Sequence, residues 1–101
     1  MERNAALQAI AAILGPDLPG VILDEAAFRV FGVSEQDPEA YRFLMLYFSD
    51  RVLLRQSRRM ADRLLSLRPG DEQASAMIEA IKRVPNWEQV VVPIEGAVFP
   101  L

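Results

Sequence analysis

The feature that most limits what this chain can fold into is the stretch Asp37–Arg68, DPEAYRFLMLYFSDRVLLRQSRRMADRLLSLR. It contains no Gly, and its one Pro is its second residue. Asp37 is placed to cap a helix whose first position is Pro38, where a missing N–H costs nothing. Glu39 then meets the positive end of the helix dipole. Pro69-Gly70 stop the run. From Ala40 to Phe48 every residue but Arg42 is apolar, which predicts burial on all sides, with Leu46 and Leu53 as core positions. The second half is two-faced. At ~100° per residue, Leu53, Leu54, Met60, Ala61, Leu64, Leu65 and Leu67 share one side, and Arg51, Arg55, Arg58 and Arg59 share the other.

Taken as one helix over residues 38–68, this stretch would be ~46 Å long. A compact chain of this size has a radius of gyration of only ~13 Å. Such a helix overhangs its own domain. A bend, a break at Ser49-Asp50 or a second copy would resolve the overhang. The reading adopted is a single long central helix, bent if not straight.

The remaining segments are short. Asn4 is placed to cap a helix over residues 5–14, ended by Gly15-Pro16. Asp24 is placed to cap a second helix through Phe31, ended by Gly32, and Asp71 a last one to about Val84. Val21–Leu23 is β-prone. Beyond Pro85-Asn86 lies a tail, WEQVVVPIEGAVFPL, with no helical period. Val90–Val92 could pair with Val21–Leu23, and Gly96 suits a tight turn. The expected fold is therefore mainly all-α: one domain over residues 1–101, about four helices around the central one, and an extended tail over 85–101, β-paired or docked on the core or a partner.

Composition narrows the chemistry. The 101 residues include no Cys and no His, so there is no thiolate and no neutral-pH imidazole for catalysis or metal binding. The acid pairs Asp24-Glu25, Asp71-Glu72 and Glu35/Asp37 sit at helix starts, where capping accounts for them, and no calcium-loop spacing occurs. No enzyme activity, metal or cofactor is expected. No apolar run reaches the ~18 residues that span a bilayer. The first residues, with Glu2 beside Arg3, read as an ordinary helix rather than a signal peptide, so a cytoplasmic location is expected.

Net charge is −3, unevenly spread. Residues 42–68 hold seven Arg against Asp50 and Asp62, a surplus of +5, and the remainder holds four basic and twelve acidic residues, −8. The face of Arg51, Arg55, Arg58 and Arg59 is a candidate partner-binding surface, either for an acidic protein or for a phosphate backbone. The ordinary alternative is a solvated face paired with the chain's own acids. Asp24–Arg42 has a helix-turn-helix outline, but its second helix would put apolar PEAYRFLML into a polar groove. Nucleic acid is therefore not the expected partner. The apolar tail supplies a second candidate contact, with Trp87, Val91, Ile94 and Phe99 its anchors. The expected function is a small protein–protein interaction module, an adaptor, inhibitor or assembly subunit, acting as a homodimer. The alternative is a nucleic-acid-associated protein using the arginine face.

Overall fold

A computed structural model describes residues 2–17 and 24–89. Among them the chain is all-helical. The order is α1 (Arg3–Leu14), α2 (Asp24–Val30), α3 (Pro38–Asp50), α4 (Leu54–Leu67) and α5 (Glu72–Lys82), followed by a short 3-10 helix, Trp87–Gln89. The expected pairing of Val21–Leu23 with Val90–Val92, the turn at Gly96 and most of the tail lie outside the described residues. Trp87–Gln89, expected to open an extended tail, is helical instead.

The single central helix is corrected to two. The break comes at Arg51–Leu53, just past the candidate Ser49-Asp50. Its geometry is a Schellman turn. The Val52 N–H donates to the Ser49 carbonyl at 3.0 Å, and the Leu53 N–H to the Phe48 carbonyl at 2.9 Å. The last carbonyls of α3 are thereby satisfied, and the chain turns out of the helix. The motif requires a left-handed residue, and here that residue is Val52, with φ of 59°. The end of α2 has the same bonding. Gly32 donates to Arg29 at 3.2 Å and Val33 to Phe28 at 3.0 Å, with Gly32 at φ of 69°. One turn uses the residue that fits. The other uses a β-branched residue that does not, which stores strain.

The break returns α4 alongside α3, with α5 on the other flank of α4, and α1 against α3 and α2. The molecule measures 37 × 30 × 23 Å, shorter than the ~46 Å a continuous helix needs. Ala40, Tyr41, Leu44, Met45 and Phe48 of α3 meet Leu7, Ile10 and Leu14 of α1, Ala27 and Phe28 of α2, and Met60 and Leu64 of α4 in one core. The Phe28 and Tyr41 rings stack at 4.7 Å. Two polar residues also face inward. Ser57 is fully buried and donates to the Met45 carbonyl at 2.8 Å, tying α4 to α3. Gln56 donates to the Gly15 carbonyl, tying α4 to the end of α1.

The caps at Asp37 and Asp71 form as expected. The Asp37 carboxylate accepts from Glu39 and Ala40, and that of Asp71 from Ala74 at 2.9 Å. Two others differ. The first helix starts at Arg3, ahead of Asn4, with no side-chain cap. Asp24 is the first residue of α2, and its carboxylate is buried against α4. The all-round burial expected of residues 40–48 is corrected in degree: Phe43, Leu46 and Tyr47, and Leu53 beyond them, pack against the core but are only partly buried.

Val52 gives the break a test of sign. In the left-handed turn, Val52→Gly removes strain of about 1–3 kcal/mol at an unfolded-state entropy cost of about 0.4–1 kcal/mol. Urea denaturation should show a net gain of about 1 kcal/mol. Inside a continuous helix the same change would destabilise by a few tenths of a kcal/mol.

Candidate functional site

The break decides where the arginines go. Counting ~100° per residue through residues 51–59 assumes an unbroken helix, and that assumption fails at Val52. Arg51 belongs to the end of α3. Its guanidinium lies 3.4 Å above the Tyr47 ring centroid and donates to the Tyr47 carbonyl at 3.1 Å. Arg55, Arg58 and Arg59 stay together, one turn apart on α4. The expected four-arginine face is thus a face of three, and Arg51 serves a different surface.

Each of the three has an acidic partner within the chain. The Arg55 Nη2 donates to Asp17 Oδ2 at 2.6 Å, and its Nη1 to the Glu88 carbonyl at 3.4 Å. Arg59 spans two acids, with Nη1 on Asp17 Oδ1 at 2.8 Å and Nε on Asp24 Oδ2 at 3.1 Å. Arg58 pairs with Asp62 one turn on, at 3.4 Å, and its guanidinium lies 5.6 Å from the Trp87 ring centroid. Next along α4, Arg63 meets Glu25 at 2.5 Å. Asp17, Arg55, Arg58, Arg59, Asp62 and Trp87 line a shallow groove of about 370 Å³, in which the positive side chains are matched by carboxylates.

The carboxyl environments agree with this. Burial alone would raise Asp17, but hydrogen bonds from Arg59 and Arg55 outweigh it and hold its carboxyl below the ordinary value. At Asp24 burial wins, and the charges of Arg59 and Arg63 only partly offset the rise. On the other side of the molecule Arg42 grips Asp71 with both terminal nitrogens, and this bond, with the Ala74 N–H, brings Asp71 down to about 2. Most acids of the expected pairs also meet an arginine. Glu35 meets Arg29, and Asp37 meets Arg3. Among the described residues no group of three or more acids could hold a metal ion.

Of the expected tail contacts, Trp87 is placed against Arg58, while Val91, Ile94 and Phe99 lie outside the described residues. The side of α3 that is packed against the core but only partly buried carries an aromatic pair. Phe43 and Tyr47 stack at 6.1 Å with 22° between ring planes, and the Arg51 guanidinium lies over the Tyr47 ring. These three residues are spaced i, i+4, i+8, so the spacing that places a core stripe also produces this ladder. Leu46 lies beside it and Val52, 50 % exposed, at its end.

No family model, curated protein or solved structure matches the chain.

The ties differ in depth, and so should their energetics. Asp24 is 6 % exposed and the Arg59 side chain about a third. Arg59→Ala leaves a buried carboxylate without its partner, which costs about 3–5 kcal/mol when both groups are fully buried. The exposed guanidinium lowers that to about 2 kcal/mol. Arg55, half-exposed, should lose less than about 1 kcal/mol on the same change. Parallel urea titrations of the two variants check the order.

Proposed function

We propose that the chain is a non-enzymatic protein–protein interaction module, an adaptor, inhibitor or assembly subunit of the cytoplasm, and that a second copy is among its partners. The observation that carries this reading is the ladder of Phe43, Tyr47 and Arg51 on the partly exposed side of α3, flanked by Leu46 and Val52. Aromatic rings and arginine are the residue types enriched in interface cores and among the side chains that carry binding energy. A ring pair pre-stacked on a helix loses little rotamer freedom when a partner lands on it.

The nucleic-acid alternative loses its main support. Phosphates would have to compete with Asp17, Asp24 and Asp62 for the arginines of α4. The helix that would read a groove buries Ala40, Tyr41 and Leu44 in the core. Among the described residues no helix is long and apolar enough to cross a membrane.

The break also removes one reason to expect a dimer, since no helix overhangs the domain. The homodimer reading now rests on the α3 ladder, together with Trp87 and the tail residues Val91, Ile94 and Phe99. A stable interface of ordinary size would bury ~1,600 Å² in total. Light scattering should show a dimer at tens of micromolar. Tyr47→Asp should weaken it by ~30-fold or more, the loss of one central aromatic anchor. A monomer throughout that range would contradict the dimer. Sub-micromolar duplex binding that disappears when Arg55 and Arg58 are both changed to Glu would replace the whole reading with the alternative.

A further inference from the structure

The turn at Arg51–Leu53 folds α4 back on α3 against the chemistry of its own residues. Val52 occupies the left-handed region, where a β-branched side chain is strained. The two helix ends that the turn creates are also poorly served. Elsewhere α3 and α5 start on the caps Asp37 and Asp71, with Glu39 and Glu72 in their first turns. By contrast α4 starts with no side-chain cap and no acid in its first turn, and Arg55 stands there instead. α3 finishes on Asp50, with no basic residue in its last turn. A cation at a helix start and an anion at a helix end both oppose the dipole. One unbroken helix has neither end and returns Val52 to the ordinary helical region. Residues 39–68 contain no Gly or Pro to prevent it.

What holds the turn shut is the packing of α4 and α5 on the rest of the chain. Ser57 donates to the Met45 carbonyl and Gln56 to that of Gly15, Arg59 reaches Asp24, and Arg42 reaches Asp71. Opening a lone chain would give up all four and uncover Ser57, Met60 and Leu64, which are fully buried. A second copy of this chain is the partner that carries the same α1–α3 surface, residue for residue. Contacts internal to the moving arm, α4 with α5 and Arg58 with Trp87, travel with it.

We infer that two copies of the chain exchange α4 and α5. In each copy residues 38–67 become one helix, and the arm packs on α1–α3 of the other, remaking those four contacts between chains. Short hinges under strain favour this kind of exchange. Concentration sets the balance. Within one chain the arm meets its site at an effective concentration in the millimolar range, so dilute protein is the closed monomer with its helical hairpin. Relief at two hinges lowers the concentration at which exchange takes over. The exchanged dimer does not use the Phe43–Tyr47 side of α3, so it stands or falls independently of the interaction reading above.

The test uses full chains, whose lack of Cys allows one label each. Chains carrying Glu39→Cys and Arg68→Cys are spin-labelled separately, mixed at about 1 mM in urea near the unfolding midpoint, refolded by dialysis and separated by size. A dimer should appear that persists on dilution, because its release requires α4 to leave a core. Double electron–electron resonance on that dimer should contain a component below ~22 Å, half the length of the continuous helix, since Glu39 of one chain then faces Arg68 of the other. The monomer fraction should show no such coupling. Val52→Gly relaxes the closed turn and weakens the open helix, and should lower the dimerisation constant by roughly tenfold or more. Tyr47→Asp should leave it unchanged. No lasting dimer, a dimer without the short component, or one that Val52→Gly leaves undiminished would overturn the inference. A dimer that dissociates promptly on dilution and is lost only in Tyr47→Asp would also overturn it, in favour of the α3 surface.

Discussion

Everything in this fold depends on the reversal of the chain at Arg51–Leu53. Residues 37–68 have the caps, the composition and the length of one helix, and as one helix they could not be enclosed by the rest of a small chain. The Schellman bonds from Val52 and Leu53 to Ser49 and Phe48 end α3 with its carbonyls satisfied. Once α4 lies back along α3, Ser57 reaches the Met45 carbonyl and Gln56 reaches that of Gly15. Both polar groups are buried only because these partners exist. The strained Val52 is held in place by the packing that the reversal makes available.

The reversal also explains the charge map. The surplus of +5 over residues 42–68 and the deficit elsewhere are two sides of one electrostatic seam. Arg55, Arg59 and Arg63 run along α4 and meet Asp17, Asp24 and Glu25 at the facing ends of α1 and α2. Arg42 and Arg68 do the same for Asp71 and Glu39. What reads in the sequence as a basic patch within an acidic protein is largely self-neutralised in three dimensions. Outside that seam, the partly exposed side of α3 is aromatic, with the Arg51 guanidinium stacked on Tyr47.

Much of the fold was legible because its signals are local. Asp37 with Pro38, Asp71, Gly32 and Pro69-Gly70 mark helix ends by chemistry that does not depend on the rest of the chain, and the structure uses them. The inner faces of α1, α2 and α5 follow from simple periodicity. The break was legible only as an alternative, since its left-handed residue is a valine and the sequence signal for that conformation is glycine or asparagine. The misplaced Arg51 follows from the same omission, because a helical wheel drawn through a break rotates everything beyond it. The buried Gln56 and Ser57 were missed because polar residues are ordinarily exposed, and only tertiary partners make them core. The α3 ladder reads as full core because its spacing is that of a core stripe, and in the fold it packs against the core while staying partly exposed. Which of the two it is depends on how many helices surround it.

The central claim is that residues 37–68 form a hairpin of two helices, and one distance tests it. The Arg68 guanidinium contacts the Glu39 carboxylate at 3.0 Å, so the two backbones are close at the open end of the hairpin. In an unbroken helix these positions would be ~44 Å apart. Glu39→Cys and Arg68→Cys, spin-labelled in the otherwise Cys-free chain, can be measured by double electron–electron resonance after dilution with unlabelled protein. The account predicts one distribution centred at less than half of that length. A distribution near ~44 Å would contradict the hairpin and everything built on it.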